Sequence, residues 1–199
     1  MIWTKLCSIL FLSLNLMFTG CKSQPNEEVY VSDLYNIHEE YKDAWGNVGK
    51  YDISLPYIHC GSKSAKKLNQ TIKSEYKGLM DSLDEAKELG YTLPDTKISY
   101  DVYTHSNLLN IVIKEEVEAK YPSYNVYHFD SKTKKRVSNK KLYKKYKISR
   151  KDMKAWAAQA FDQEYANEYF DNVKELRAQT MGLLPSNLDV FYHKGKLNV

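Results

Sequence analysis

The 199 residues carry 29 Lys or Arg against 25 Asp or Glu, a formal charge of +4 that is too small to point to nucleic acid. A chain of this length with 43% hydrophobic residues can bury one sizeable core. Three Cys are too few for a disulfide scaffold, while seventeen Tyr favour strands and surfaces that are apolar in the body and polar at the tip.

Met1 to Gly20 holds one charged residue, Lys5, then an apolar run from Leu6 to Phe18 and small residues ahead of Cys21. A basic start, a core of this length and a small-residue cleavage site predict a secretory signal peptide over residues 1–20. A spanning helix needs about 20 apolar residues, which this run does not reach. Phe18-Thr19-Gly20-Cys21 resembles the lipobox of bacterial lipoproteins, with Phe18 where that pattern usually has Leu. The resemblance implies a diacylglyceryl group on Cys21 and an extracytoplasmic product, lipid-anchored to a bacterial membrane. Without residues 1–20 the chain keeps 28 basic and 25 acidic side chains. Cys7 leaves with the signal, and Cys60 remains as a lone thiol expected to be buried.

Lys22 to Glu28 is polar and contains Pro25, so residues 21–30 read as a tether ahead of a single domain over 31–199. Two strands are predicted at Tyr35–Tyr41 and Lys50–Ile58, joined by a turn whose Gly46 and Gly49 can supply positive φ. In the second, Tyr51, Ile53, Leu55 and Tyr57 alternate with polar residues, and Pro56 argues for an edge or a strand end. A helix follows, with Ala65, Leu68, Ile72, Tyr76, Leu79, Leu83 and Ala86 on one stripe. Ser62 or Ser64 can cap it, and Gly90 with Pro94 can end it.

Ile98–Tyr103, the nearly continuous apolar Leu108–Ile113 and Tyr121–Asp130 then predict an antiparallel meander. Ser149 and Asp152 form a variant capping box for a second long helix, whose apolar positions run from Met153 to Leu176. Gly182 and Pro185 stop it. Leu188–Tyr192 and a turn at Lys194-Gly195 start a hairpin whose return strand ends at Val199, so either that strand is short or a C-terminal piece is missing. The fold expected is α+β: an antiparallel sheet with two long helices packed on it.

Charge is distributed unevenly. Ser131 to Lys151 contains eleven Lys or Arg and no acid, whereas Asp162 to Glu175 is acidic. The basic run has two readings. Its cations could hold anionic headgroups or wall polymers, at about 1 kcal/mol per charge near an anionic membrane. Long charged runs are more usually solvated faces, here with Leu142, Tyr146 and Ile148 tucked inward.

No phosphate loop, dinucleotide fingerprint or nucleophile elbow is present, and the five His lack metal-ligand spacing. Cys60 follows His59, but sequence neighbours rarely supply the geometry of a nucleophile and its base. No catalytic residue, metal site or cofactor is therefore expected.

The element order, with Ile53-Ser54-Leu55-Pro56, Leu68-Asn69 with Ile72, Leu108-Leu109-Asn110-Ile111, Asn125-Val126-Tyr127-His128-Phe129-Asp130 and Phe191-Tyr192 with Gly195-Lys196-Leu197, resembles a known domain. It is the extracellular domain of sigma-V-type anti-sigma factors, which also precedes the catalytic part of some peptidoglycan deacetylases. The resemblance covers about residues 50–199. That family usually has Gly between Thr133 and Lys135, where this chain has Lys134, and its members continue past the last hairpin.

In the anti-sigma factors the domain binds lysozyme. The resemblance therefore implies a non-catalytic envelope binding domain for a protein such as lysozyme, or for envelope glycan. Its alternative is an accessory or catalytic module of polysaccharide modification. Lysozyme is basic, so the docking residues expected are Asp162, Glu164 and Glu168.

Overall fold

Alternating apolar residues and a glycine turn fold the first described segment into a hairpin of β1 (Tyr30–Lys42) and β2 (Val48–His59). The computed structural model describes residues 28–165, 173–183, 188–193 and 196–198. Gly46 takes φ +94, which an L side chain rarely adopts. Gly49 serves differently: a Cβ there would lie 2.4 Å from the Tyr51 hydroxyl, so the glycine admits the tyrosine ring. Leu34 is an extra residue in β1, where the register shifts between Asp33 and Tyr35. Opposite that bulge the inward phase of β2 changes. Tyr51, Ile53 and Leu55 face the core as expected, but Ile58 rather than Tyr57 is fully buried.

Ser62 caps α1 (Lys63–Leu89) by accepting from the Ala65 N–H, and Gly90 closes it in the left-handed conformation. Most of the predicted stripe is buried: Ala65, Leu68, Ile72, Tyr76, Leu83 and Ala86 are enclosed, and Leu79 is partly buried against the same core. Each Leu or Ile fully removed from water there contributes about 1.5–3 kcal/mol. Because α1 crosses over between strands, β3 (Thr96–His105) returns parallel to β2, pairing only from Tyr51–Thr96 to Ile53–Ile98. Past Ile53 the two strands separate. Pro56 therefore sits in an interior strand without breaking a ladder, since no β3 residue pairs with it.

The meander then runs antiparallel through β4 (Leu108–Val117) and β5 (Ser123–Asp130), and β6 (Lys135–Val137) adds three residues to its edge. The sheet order is β1-β2-β3-β4-β5-β6. Leu109, Ile111 and Ile113 of β4 face the α1 side. Leu108 joins a smaller cluster with Leu142 and Val190, backed by Val137, Tyr143, Tyr146 and Ile148. Burial of both faces explains the continuous apolar run.

The protein is thus α+β, with a mostly antiparallel sheet. The helices depart from expectation. The basic run is not only a link: it forms β6 and then α2 (Asn139–Tyr146). The second long helix is two helices, α3 (Arg150–Glu164), started by the complete Ser149–Asp152 capping box, and α4 (Val173–Leu183). Phe161, Tyr165 and Leu176 line one groove, so these apolar positions meet across two helices. Each half keeps its own helical period, which a single stripe cannot be told from.

The closing hairpin is β7 (Phe191–His193) with β8 (Lys196–Asn198); the turn between them lies outside the described residues. Cys60 is half-buried against the main core rather than enclosed.

Candidate functional site

The gap beside β6 is where the fold brings polar side chains together. β6 pairs with β5 only through His128, Phe129 and Asp130, so Val126 and Tyr127 face an open edge. The chain leaves that edge at Ser138 and turns into α2. Between the two lies a cleft of about 530 Å³, within the range of ligand sites. Arg136, Lys140 and Lys141 line it, together with Ser138, Asn139, His128 and Asp189. Among the described residues none of these three cations forms an ion pair. The Arg136 guanidinium sits over the Tyr127 ring, 5.6 Å from its centroid.

Beneath the cleft runs a buried polar chain. Asn110 of β4 donates from Nδ2 to the Tyr103 carbonyl at 2.8 Å. Its Oδ1 lies 3.0 Å from His128 Nδ1, and His128 Nε2 lies 3.0 Å from Asn139 Oδ1. Asn139, the first residue of α2, donates from Nδ2 to Asp189 Oδ1 at 2.6 Å. Asn110 and His128 are almost wholly enclosed, at 0% and 1% exposure.

The two ends of the chain fix its polarity. A backbone carbonyl and a carboxylate only accept, so both amide NH₂ groups face them and both amide oxygens face the imidazole. Two ring N–H donors would satisfy both oxygens, which describes an imidazolium. Burial pushes His128 the other way, below the ordinary histidine value, with Arg136 adding to the depression while Asn139 and Asp189 oppose it. The neutral ring at neutral pH donates to one oxygen and leaves the other against a lone pair. With both nitrogens held by amides, His128 has no free nitrogen to serve as a general base. It is a group whose charge responds to its surroundings.

The residues predicted from sequence are placed differently. Cys21 and Glu168 lie outside the described residues, as does the side chain of Glu164. Asp162 is exposed on α3, but its carboxylate is held by Arg177 of α4 at 2.6 Å from Nε and 2.8 Å from Nη2. That guanidinium holds the Asp162 carboxyl below the usual carboxylate range. His38, His59 and His105 do not line the cleft; His38 pairs with Asp52, and His59 stacks on Tyr30. Among the described residues no three His, Cys, Asp or Glu converge to hold a metal ion, and no helix is long and apolar enough to cross a membrane.

Sequence reasoning noted the basic run but missed the cleft. Asn110 was hidden inside an apolar strand, and Asp189 lies fifty residues from its partner Asn139. The chain matches no family model and no curated protein.

Proposed function

We propose that the chain is a non-catalytic, extracytoplasmic binding domain, anchored to a bacterial membrane through a lipid on Cys21, and that it holds an envelope glycan in the cleft between β5, β6 and α2. The carrying observation is the convergence of Arg136, Lys140 and Lys141 on a concave site where, among the described residues, only Asp189 opposes them. Such a site suits an anionic polymer and disfavours a basic protein. The rival docking face for lysozyme is weakened at its one described residue, because Arg177 neutralises Asp162.

The test uses the full chain expressed in a bacterium. Cys21→Ser should move the protein from the membrane fraction to the soluble envelope fraction. Full-length protein in non-ionic detergent should be retained on insoluble cell wall at low salt and released as salt rises. Retention on immobilised lysozyme but not on wall would overturn the cleft reading. Membrane retention of Cys21→Ser would overturn the anchor.

A further inference from the structure

We infer that the cleft is a phosphate site: it takes the phosphate group of a larger ligand, held by Arg136, Lys140, Lys141 and the first turn of α2. This rests on the cleft being the binding site, and it names the chemistry that the site recognises.

Charge comes first. Arg136, Lys140 and Lys141 against Asp189 leave a net of two positive charges, the complement of a phosphate dianion. Asp189 is already engaged, since one of its oxygens accepts from Asn139. Arg136 supplies a planar fork for two oxygens, and the two lysines supply point charges. The first turn of α2 adds the N–H groups of Asn139 and Lys140; the Lys141 N–H already donates to the Ser138 carbonyl. Ser138 makes no side-chain hydrogen bond to the helix, and no acid lies in its first turn. The cleft, at about 530 Å³, is far larger than a bare phosphate. The ligand is therefore a phosphorylated unit of sugar size or more, whose remaining atoms extend along the open edge of β5.

The buried chain gives this site a second property. The groups facing His128 are Asn110 from β4, Arg136 from β6, Asn139 from α2 and Asp189 from the segment before β7, with Lys140 and Lys141 lining the same cleft. An anion bound at Arg136 offsets a cation whose charge opposes one on His128. The two amide oxygens already point at the ring as an imidazolium requires. Anion binding therefore draws a proton onto His128, and a neutral ligand of the same shape does not.

Calorimetry on the full-length protein in non-ionic detergent tests both properties. Inorganic phosphate and sulfate should bind, with acetate about tenfold weaker. Arg136→Ala should weaken phosphate at least about tenfold, Arg136→Lys by less, and Lys140→Gln, on the exposed rim, severalfold. Sulfate does not titrate near neutrality, so titrations in two buffers of different ionisation enthalpy report protons taken up by the protein. Uptake of a fraction of a proton should appear as the pH is lowered below about 6.5 and vanish in His128→Gln.

Displacement of bound phosphate by phosphatidylglycerol vesicles would assign the group to a lipid headgroup, and displacement by solubilised wall polymer to a glycan; both uphold the site. Equal affinity for acetate and phosphate, or unchanged binding in folded Arg136→Ala and Lys140→Gln, overturns it. Wall retention without phosphate binding sinks this inference and leaves envelope binding standing. Phosphate binding without wall retention does the reverse.

Discussion

Asn69 performs the work of a missing strand, and removing it should be among the costliest single changes in the fold. β2 loses its β3 neighbour after Ile53, so Ile58 has main-chain groups facing a partner that is not there. α1 supplies one. The Ile58 N–H donates to Asn69 Oδ1 at 2.9 Å, and Asn69 Nδ2 donates back to the Ile58 carbonyl at 2.9 Å. Both residues are buried, Ile58 at 0% and Asn69 at 7% exposure.

Asn69→Ala leaves one N–H and one carbonyl without partners or water, at about 1–3 kcal/mol each, so the loss should be about 2–6 kcal/mol. For a chain of this length, at about 2–4 °C per kcal/mol, that lowers the thermal midpoint by roughly 4–24 °C. Asn69→Asp separates the two bonds. Its carboxylate can accept from the Ile58 N–H, but it meets the Ile58 carbonyl without a proton to donate. A buried carboxyl that gains a bond on protonation has a folded pKa above its unfolded value of about 3.9. The folded state then binds more protons, so the deficit of this variant shrinks as pH falls and is largest above the folded value. Urea unfolding followed by circular dichroism measures both, with Gln70→Ala, one residue along the exposed face, as a control expected within about 0.5 kcal/mol. A loss below 1 kcal/mol for Asn69→Ala, or an Asn69→Asp deficit independent of pH, would refute the reasoning.

Two further outcomes follow from single residues. Burial depresses His128 below its ordinary value, so the unfolded chain takes a proton near pH 6.5 that the folded chain refuses until lower pH. Stability should therefore fall with pH below about 6.5, by at most about 1.4 kcal/mol per unit, and His128→Gln should flatten that slope in urea midpoints measured from pH 7.5 to 5.0; parallel slopes would contradict it. Lys134 takes φ 53 in the turn where Asp130 Oδ1 accepts from the Thr133 N–H at 2.7 Å. The left-handed conformation costs an L residue about 1–2 kcal/mol, and glycine returns about 0.5–1 kcal/mol of that as unfolded-state entropy, so Lys134→Gly should stabilise by about 0.5–1 kcal/mol. A lower unfolding midpoint would exclude this.

The fold was legible where local pattern and burial coincide. The stripe of α1, its Ser62 and Gly90 ends, and the meander of β3, β4 and β5 all announce themselves in residue spacing. Legibility failed where two local solutions share one pattern. The stripe from Met153 to Leu176 fits one long helix or two short ones. Nothing in residue spacing reports that Arg177 folds back on Asp162. The alternation of β2 likewise cannot show that β1 carries Leu34 as an extra residue, or that Ile58 rather than Tyr57 turns inward.

The site failed for a different reason. Its residues sit on β4, β5, β6, α2 and the segment before β7, from Asn110 to Asp189, and each alone has a blander meaning. Asn110 in an apolar strand reads as a blemish, and His128 as one more strand residue. Both become informative only once β4 is central and covered on each face, because a buried amide must then spend its hydrogen bonds on something. Asn110 spends one on Tyr103 and one on His128, which leaves the imidazole to be completed from outside the sheet by Asn139. That demand positions the start of α2. With its first residue pinned to His128 and Asp189, the helix directs its N-terminal turn and two lysines into the cleft that Arg136 closes. The lysine run is thus divided by the core: Leu142 goes inward, and Lys140 and Lys141 line a cavity rather than merely meeting solvent.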